Sequence, residues 1–234
     1  MKKKKKIFED HVKKIYATTE PEQLIQEFKD QASVAGVGNK VLIKGKGAID
    51  NRMAAFLYEY LEGFNIPTHF LKTISPKEML VKYTDNIPVK ITVRNNAAGT
   101  LVKRFRIEDG KELKCPVMEF FLIDEQRKNP MMNQSHLLAF ELVTADELKM
   151  IERMSSKINA VLKSFLLRRH IWLVDFNLVF GRFQEKIILS HAITPETCRF
   201  WDVANGEKTD KNRFRLDAEN MEQAYQEIKN RLLK

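Results

Sequence analysis

Val174-Asp175-Phe176-Asn177-Leu178-Val179-Phe180-Gly181 reads as the core of a strand, part of an apolar run from Ile171 to Phe180 into which one carboxylate has been placed. A second strand-like run, Ile187 to Ile193, follows across the polar turn Arg182 to Lys186, so the two are expected to pair as a hairpin. Burying Asp175 among apolar neighbours costs several kcal/mol, roughly, unless its charge is matched. Either a functional contact or an internal salt bridge must therefore account for it, and the sequence leaves both open.

Working outward, Thr144-Ala145-Asp146-Glu147 has the spacing of a capping box, and the helix it opens carries an apolar stripe of Leu148, Ile151, Met154, Ile158, Leu162 and Phe165. Ile49, Met53, Phe56, Leu57, Tyr60 and Leu61 recur at helical spacing over Ile49 to Phe64, with Gly63 and Pro67 as the stop. Met221, Ala224, Tyr225, Ile228 and Leu232 stripe a closing helix. Ile7-Phe8 and Lys14-Ile15-Tyr16 read as short strands, and Phe28 and Val41-Leu42-Ile43 are expected to continue their sheet between Gly36, Gly38, Gly45 and Gly47. Ile66 to Val93 reads as further strands, with turns at Pro76 and Pro88. Strands clustered early and helices later predict an α+β fold of two packed lobes around a central ligand cleft, an N-terminal lobe over 1–83 and a C-terminal lobe over 84–234.

The chain has 234 residues, 44% of them hydrophobic, enough to bury a substantial core. No run approaches the ~18 apolar residues of a membrane span, and Lys2 to Lys6 are not followed by the apolar segment of a signal peptide, so the expected location is cytoplasmic, away from membranes. The two cysteines, Cys115 and Cys198, lie far apart and form no cluster with the five histidines, so the expectation is reduced thiols and no metal site. A net charge of +9 favours an anionic partner. Much of that excess sits in the terminal lysine run, which reads as a solvated tail, and no nucleic-acid module accompanies it.

Two short stretches resemble anion sites. Gly45-Lys46-Gly47 lacks the Gly-Lys-Ser/Thr order of a phosphate loop and is better explained as a turn. In Ala97-Ala98-Gly99-Thr100, small residues would let backbone approach an anion while Arg94, Lys103 and Arg104 flank it, although a surface turn explains the composition equally well.

These stretches fall in register with further motifs: Arg94-Asn95-Asn96-Ala97-Ala98-Gly99-Thr100, Asn129-Pro130-Met131-Met132-Asn133, Pro195 with Arg199-Phe200-Trp201-Asp202, and Asp210-Lys211-Asn212-Arg213-Phe214-Arg215. In that order, from about Ile7 to the C-terminus, the chain resembles the phosphoribosylaminoimidazole-succinocarboxamide synthase (SAICAR synthetase) family. That family joins aspartate to the carboxylate of carboxyaminoimidazole ribonucleotide with ATP and magnesium. The resemblance implies that Arg94, Thr100 and Arg199 match contacts to the ribonucleotide phosphate, that Asp175 and Arg215 match residues near the imidazole and carboxylate, and that Lys13 remains from the nucleotide hairpin.

Elsewhere the family pattern is broken. Gly-Lys-Ala-Lys of the first hairpin becomes Asp10-His11-Val12-Lys13, the lysine and glutamate of Val-Asp-Phe-Lys-Leu-Glu-Phe-Gly become Asn177 and Val179, and an acidic position before Pro195 becomes His191. Ile123 stands for a lysine, and Lys90, Asn129 and Gln134 stand for carboxylates. Valine cannot bind magnesium and imidazole is a poor substitute for oxygen. The sequence thus predicts a homologue that keeps phosphoribosyl or ribonucleotide recognition with Asp175 as its best retained catalytic candidate, but has lost or altered ATP-magnesium ligation. A working succinocarboxamide synthase and a non-catalytic regulatory or binding paralogue are the alternatives. No metal or cofactor is assigned beyond ATP and magnesium in the working case, and a homo-oligomer or a partner enzyme is left open.

Overall fold

The computed structural model describes residues 2–33, 40–203 and 218–233. The first half runs β1 (Lys3–Glu9), β2 (Lys13–Thr18), β3 (Gln23–Phe28), β4 (Gln31–Ser33), β5 (Lys40–Leu42), α1 (Lys46–Glu62), β6 (Phe70–Ser75), β7 (Glu78–Lys82) and β8 (Asp85–Asn96). The second half runs α2 (Thr100–Phe105), β9 (Glu112–Leu122), β10 (Met131–Met132), α3 (Gln134–Ala139), α4 (Ala145–Leu167), β11 (Ile171–Phe183), β12 (Lys186–Leu189), β13 (Cys198–Asp202) and α5 (Ala218–Leu232). The class is α+β: two antiparallel sheets, a small ladder and five helices among the described residues.

The first sheet has the order β1-β2-β3-β7-β6 and the second β10-β9-β8-β11-β12, with β13 also paired to β11. Strand β11 is thirteen residues long, so it holds β8 along one side while β12 and β13 share the other. The expected hairpin forms as β11–β12, closed by Gln184 and Glu185 with φ of 47° and 61°, the left-handed pair that matches the twist of a tight hairpin. Val41-Leu42-Ile43 does not extend the first sheet. Strand β5 pairs with β4 in a ladder of its own, because that local register satisfies both short segments before Gly45, at φ 79°, turns the chain into α1.

Strands also continue through the second half, contrary to the expectation that they cluster early. The overlooked strand β9 contains Pro116, which sits where the two-residue β10 no longer covers the sheet edge, so no ladder donor is lost there.

A single apolar cluster spans both sheets. Helix α1 contributes Met53, Leu57 and Leu61, α4 contributes Leu148, Ile151, Ile158, Leu162 and Phe165, and α5 returns to pack on α1 with Tyr225, Ile228 and Leu232 buried. The sheets are stitched where Thr68 and Leu189 form a parallel bridge: Leu189 donates to Pro67 and His69 donates to Leu189, each at 2.9 Å. No described helix is long and apolar enough to cross a membrane.

The capping box is formed at α4. Glu147 N–H donates to Thr144 Oγ1 at 3.2 Å, and Thr144 N–H donates to Glu147 Oε2 at 2.8 Å. Glu147 Oε1 also accepts from Arg182 Nε of β11 at 2.6 Å, so this cap fixes the helix to the central strand. Thr144→Ala should lower stability by about 1 kcal/mol, the usual cost of a lost N-cap, and Glu147→Ala by more because it cuts both links. Urea denaturation of the two variants checks the order; equal losses would mean that the tie to Arg182 contributes nothing.

Candidate functional site

The register of the second sheet sets Arg94 of β8 and Arg199 of β13 opposite Asp175 of β11, one from each side. Arg94 Nη1 and Arg199 Nη1 both donate to Asp175 Oδ2, each at 3.0 Å. All three residues are buried, which answers the question left by the sequence: Asp175 is held by two ion pairs inside the protein. Arg94 uses its other nitrogens as well, Nη2 donating to Thr100 Oγ1 at 2.8 Å and Nε to Glu119 Oε2 at 2.6 Å. The other oxygen of Glu119 accepts from Arg104 Nη2.

Alternation along the strand explains why Arg94 and Asn95 do different work. Arg94 faces Asp175, whereas Asn95 points the other way and exchanges hydrogen bonds with Asn159 of α4, 2.9 Å in each direction, while also donating to Leu173 O at 2.9 Å. The turn that follows needs Gly99. Its φ of 57° and ψ of −121° suit glycine, and a Cβ there would sit 2.9 Å from Arg199 Nη2. Thus Ala97-Ala98-Gly99-Thr100 is not a free surface turn: Ala97 and Ala98 are buried, and the glycine lets Arg199 lie against the backbone.

The same face continues toward the substituted positions. Asn177 is opposite Thr92, whose hydroxyl donates to Asn177 Oδ1 at 2.8 Å, and buried Val179 is opposite Lys90. Asn129 and Gln134 are occupied locally, Asn129 Oδ1 accepting from Asp124 N–H at 2.9 Å and Gln134 donating to Glu152. Ile123 is exposed. Among the described residues no group of three or more His, Cys, Asp or Glu is gathered to hold a metal.

In the β1–β2 turn, Asp10 Oδ1 accepts from the backbone N–H groups of Val12 and Lys13, each at 2.7 Å. A carboxylate therefore already occupies these two loop donors. Lys13 is partly buried; burial lowers its pKa, opposed by the charge of Asp10. His69 is kept well below the ordinary imidazole range by burial and then by the positive charges of Lys13, His191 and Lys82. Its ring shares a 2.9 Å hydrogen bond with Tyr58 Oη.

A third polar group is built on α1. Lys46 and Asp50, one turn apart on α1 and both fully buried, form a 2.6 Å ion pair, and Lys46 also lies 3.3 Å from Glu196. Tyr225 of α5 donates to Glu196 at 3.4 Å. Of Gly45-Lys46-Gly47, expected to be a turn, only Gly45 lies in one; Lys46 and Gly47 open α1, and the lysine is buried. Burial pushes Asp50 up to about 6, with Lys46 working against that rise; burial pulls Lys46 down, but Asp50 and Glu196 outweigh it and hold the ammonium above its ordinary value. The pair is therefore ionised at neutral pH.

Of the residues singled out by the sequence, Arg94, Thr100, Asp175 and Arg199 come together. Lys13 lies with His69 and His191, away from that row, and Arg215 is outside the described residues, as are 210–214. Sequence reasoning missed Glu119 and the Lys46–Asp50–Glu196 group. The signal for Glu119 was the one that exposed Asp175, a carboxylate inside an apolar run, Val117-Met118-Glu119-Phe120-Phe121.

Fold and site together define a two-sheet α+β protein whose central strand carries an arginine-flanked carboxylate. The family model for SAICAR synthetase matches residues 6–232, and the chain belongs to that family. It is 42% identical over 234 residues to the phosphoribosylaminoimidazole-succinocarboxamide synthase of Persephonella marina, covering 100% of this chain and 98% of that one. The crystal structure of the synthase from Ehrlichia chaffeensis superposes with a TM-score of 0.94 at 36% identity, over 98% of each chain. A SAICAR synthetase solved in complex with ADP gives 0.91 at 35%, over 96% of each.

Gly99→Ala should distort the Arg199 contact and cost about 1–3 kcal/mol through its left-handed backbone. Thermal melting reads the loss, and a melting temperature equal to that of the unmodified chain would show that the turn is permissive. Asp50 gives a pH signature. Its folded pKa of about 6 exceeds the ordinary 3.8, so its contribution is fully present below the lower value and is lost as pH rises through the higher one. The stability of the unmodified chain minus that of Asp50→Asn should therefore fall between pH 4 and 6. A difference that stays flat in urea titrations across this range would contradict the assignment.

Proposed function

We propose that this chain recognises the phosphoribosyl substrate of its family with Arg94, Thr100 and Arg199 around the phosphate and Asp175 beside the base, and that its ATP-magnesium ligation is weakened or altered. The observation that carries the reading is the convergence of two guanidinium groups, a hydroxyl and a carboxylate from four separated segments on one sheet face. Guanidinium forks suit a phosphate or carboxylate, and binding such an anion would redistribute donors now shared with Asp175. Arg215, by the resemblance, would complete this end near the substrate carboxylate.

The nucleotide end lacks matching chemistry. Where the resemblance implies acidic metal ligands, Val179 offers no donor atom and His191 offers imidazole, so the described residues do not fit magnesium. Asp10 holds the hairpin amides with a negative charge, which opposes a triphosphate approaching Lys13. Asn177 supplies no compensating cation.

A second reading, a working synthase of purine biosynthesis joining aspartate to carboxyaminoimidazole ribonucleotide, has its own observation and is the one the comparisons favour. Relatives named as that synthase match the whole chain at 42% identity, and the likeness to them carries no sign of lost activity. A regulatory or binding paralogue has no separate observation in its favour. In both leading readings the partners are small molecules and the location is the cytoplasm.

The deciding measurement is product formation from ATP, aspartate and the ribonucleotide by the purified, unmodified chain. The proposal expects ribonucleotide binding by calorimetry, weakened by roughly 1.5–3 kcal/mol in Arg199→Ala, together with slow or absent ligation. Turnover at about 1 per second or faster, within the ordinary enzyme range, establishes the second reading instead.

A further inference from the structure

Five charged side chains form a continuous series across β13, β11, β8, β9 and α2: Arg199, Asp175, Arg94, Glu119 and Arg104. Signs alternate along it, from Arg199 at one end to Arg104 at the other. Its inner members are buried, whereas Arg104 reaches the exposed rim. Glu119 is the joint between the two regimes. At 3% exposure it has no access to bulk water, so its charge is offset by protein donors, and its two oxygens take different arginines.

We infer that Glu119 is a positioning residue of the anion site: it fixes the plane of Arg94 through Nε and holds Arg104 at the rim as a further cation for a phosphate monoester. The geometry separates the tasks. Once Glu119 holds Nε, the two terminal nitrogens of Arg94 are directed to Asp175 and Thr100, the face shared with Arg199. A guanidinium held at one edge loses less rotational freedom when it binds an oxyanion. Arg104 lies one helical turn after Thr100, and its Nε donates to Thr100 O at 3.4 Å, so it flanks the hydroxyl on the same helix face. At this bond Glu119 is buried and Arg104 partly exposed, so the arginine keeps its hold on the carboxylate while its outer edge faces solvent. This inference rests on the phosphoribosyl reading above.

The test is calorimetric titration with ribose 5-phosphate of the full chain and of Glu119→Gln, Arg104→Ala, Arg94→Lys and the Glu119→Gln/Arg94→Lys double variant. Glu119→Gln should weaken binding about tenfold or more, as for a lost hydrogen bond to a charged group, and Arg104→Ala by about threefold or more. Lysine at position 94 keeps a cation but removes the Nε that Glu119 holds. If Glu119 acts through that nitrogen, adding Glu119→Gln to Arg94→Lys should cost no more than the roughly threefold share carried by Arg104, well below its effect in the unmodified chain, whereas a purely structural role weakens binding equally in both backgrounds. If Glu119→Gln does not melt cooperatively, Glu119→Asp, alone and combined with Arg94→Lys, replaces it with the same expectations. No binding by the unmodified chain overturns the phosphoribosyl reading and this inference with it. Binding by the unmodified chain that is unchanged in the Glu119 variant, or losses that add in the Arg94→Lys background, overturns this inference alone.

Discussion

One oxygen of Asp175 accepts from two arginines that arrive on opposite neighbouring strands, and much of the second sheet is arranged around that contact. A strand shifted by one residue would turn its side chain to the other face, so the ion pairs and the sheet register specify each other. Strand β11 must also be long. Only by running past the end of β13 can it accept β12 alongside, and β12 leads through Leu189 to the bridge with the first sheet. The contact that organises the candidate site is therefore continuous with the joint between the sheets.

Isolated buried charges are expensive, and this fold matches each with partners from distant parts of the chain. Asp175 has Arg94 and Arg199, Glu119 has Arg94 and Arg104, and Lys46 has Asp50 and Glu196. Removing one partner leaves the other without water, while the full set stands at a modest net cost. The segment from Ser190 to Arg199 links these groups: Thr197 Oγ1 accepts from Thr194 N–H and donates to Ala192 O, each at 3.0 Å, bracing a loop that sends Glu196 to Lys46 and Arg199 to Asp175.

Local patterns were legible where one energetic term governed them. The α4 capping box, the α1 and α4 stripes and the β11–β12 hairpin follow from side-chain period and turn chemistry, so short windows of sequence sufficed. The separate β4–β5 ladder and the position of β9 were not legible, because pairing partners depend on register and edge geometry rather than composition. At the site, Asp175 announced itself by being charged in an apolar strand, yet its pairing with Arg94 and Arg199 needed the three-strand register. Glu119 gave the same local signal. Its role was not legible there because its partners, Arg94 and Arg104, arrive from β8 and α2 and are brought to it only by the fold.

The arginine row and the β1–β2 hairpin differ in how their charges are compensated, and this physical difference underlies the proposed division of function. In the arginine row, the rim member Arg104 is exposed. At the hairpin end, the backbone donors are already held by Asp10, and burial works against the charge of Lys13. In the proposed reading, an incoming phosphate meets the guanidinium groups of the arginine row at the first. At the second it must displace a covalently attached carboxylate whose effective concentration is set by a three-residue turn. The electrostatics thus supports the proposed order, in which an anion fills the arginine row before it competes for the hairpin.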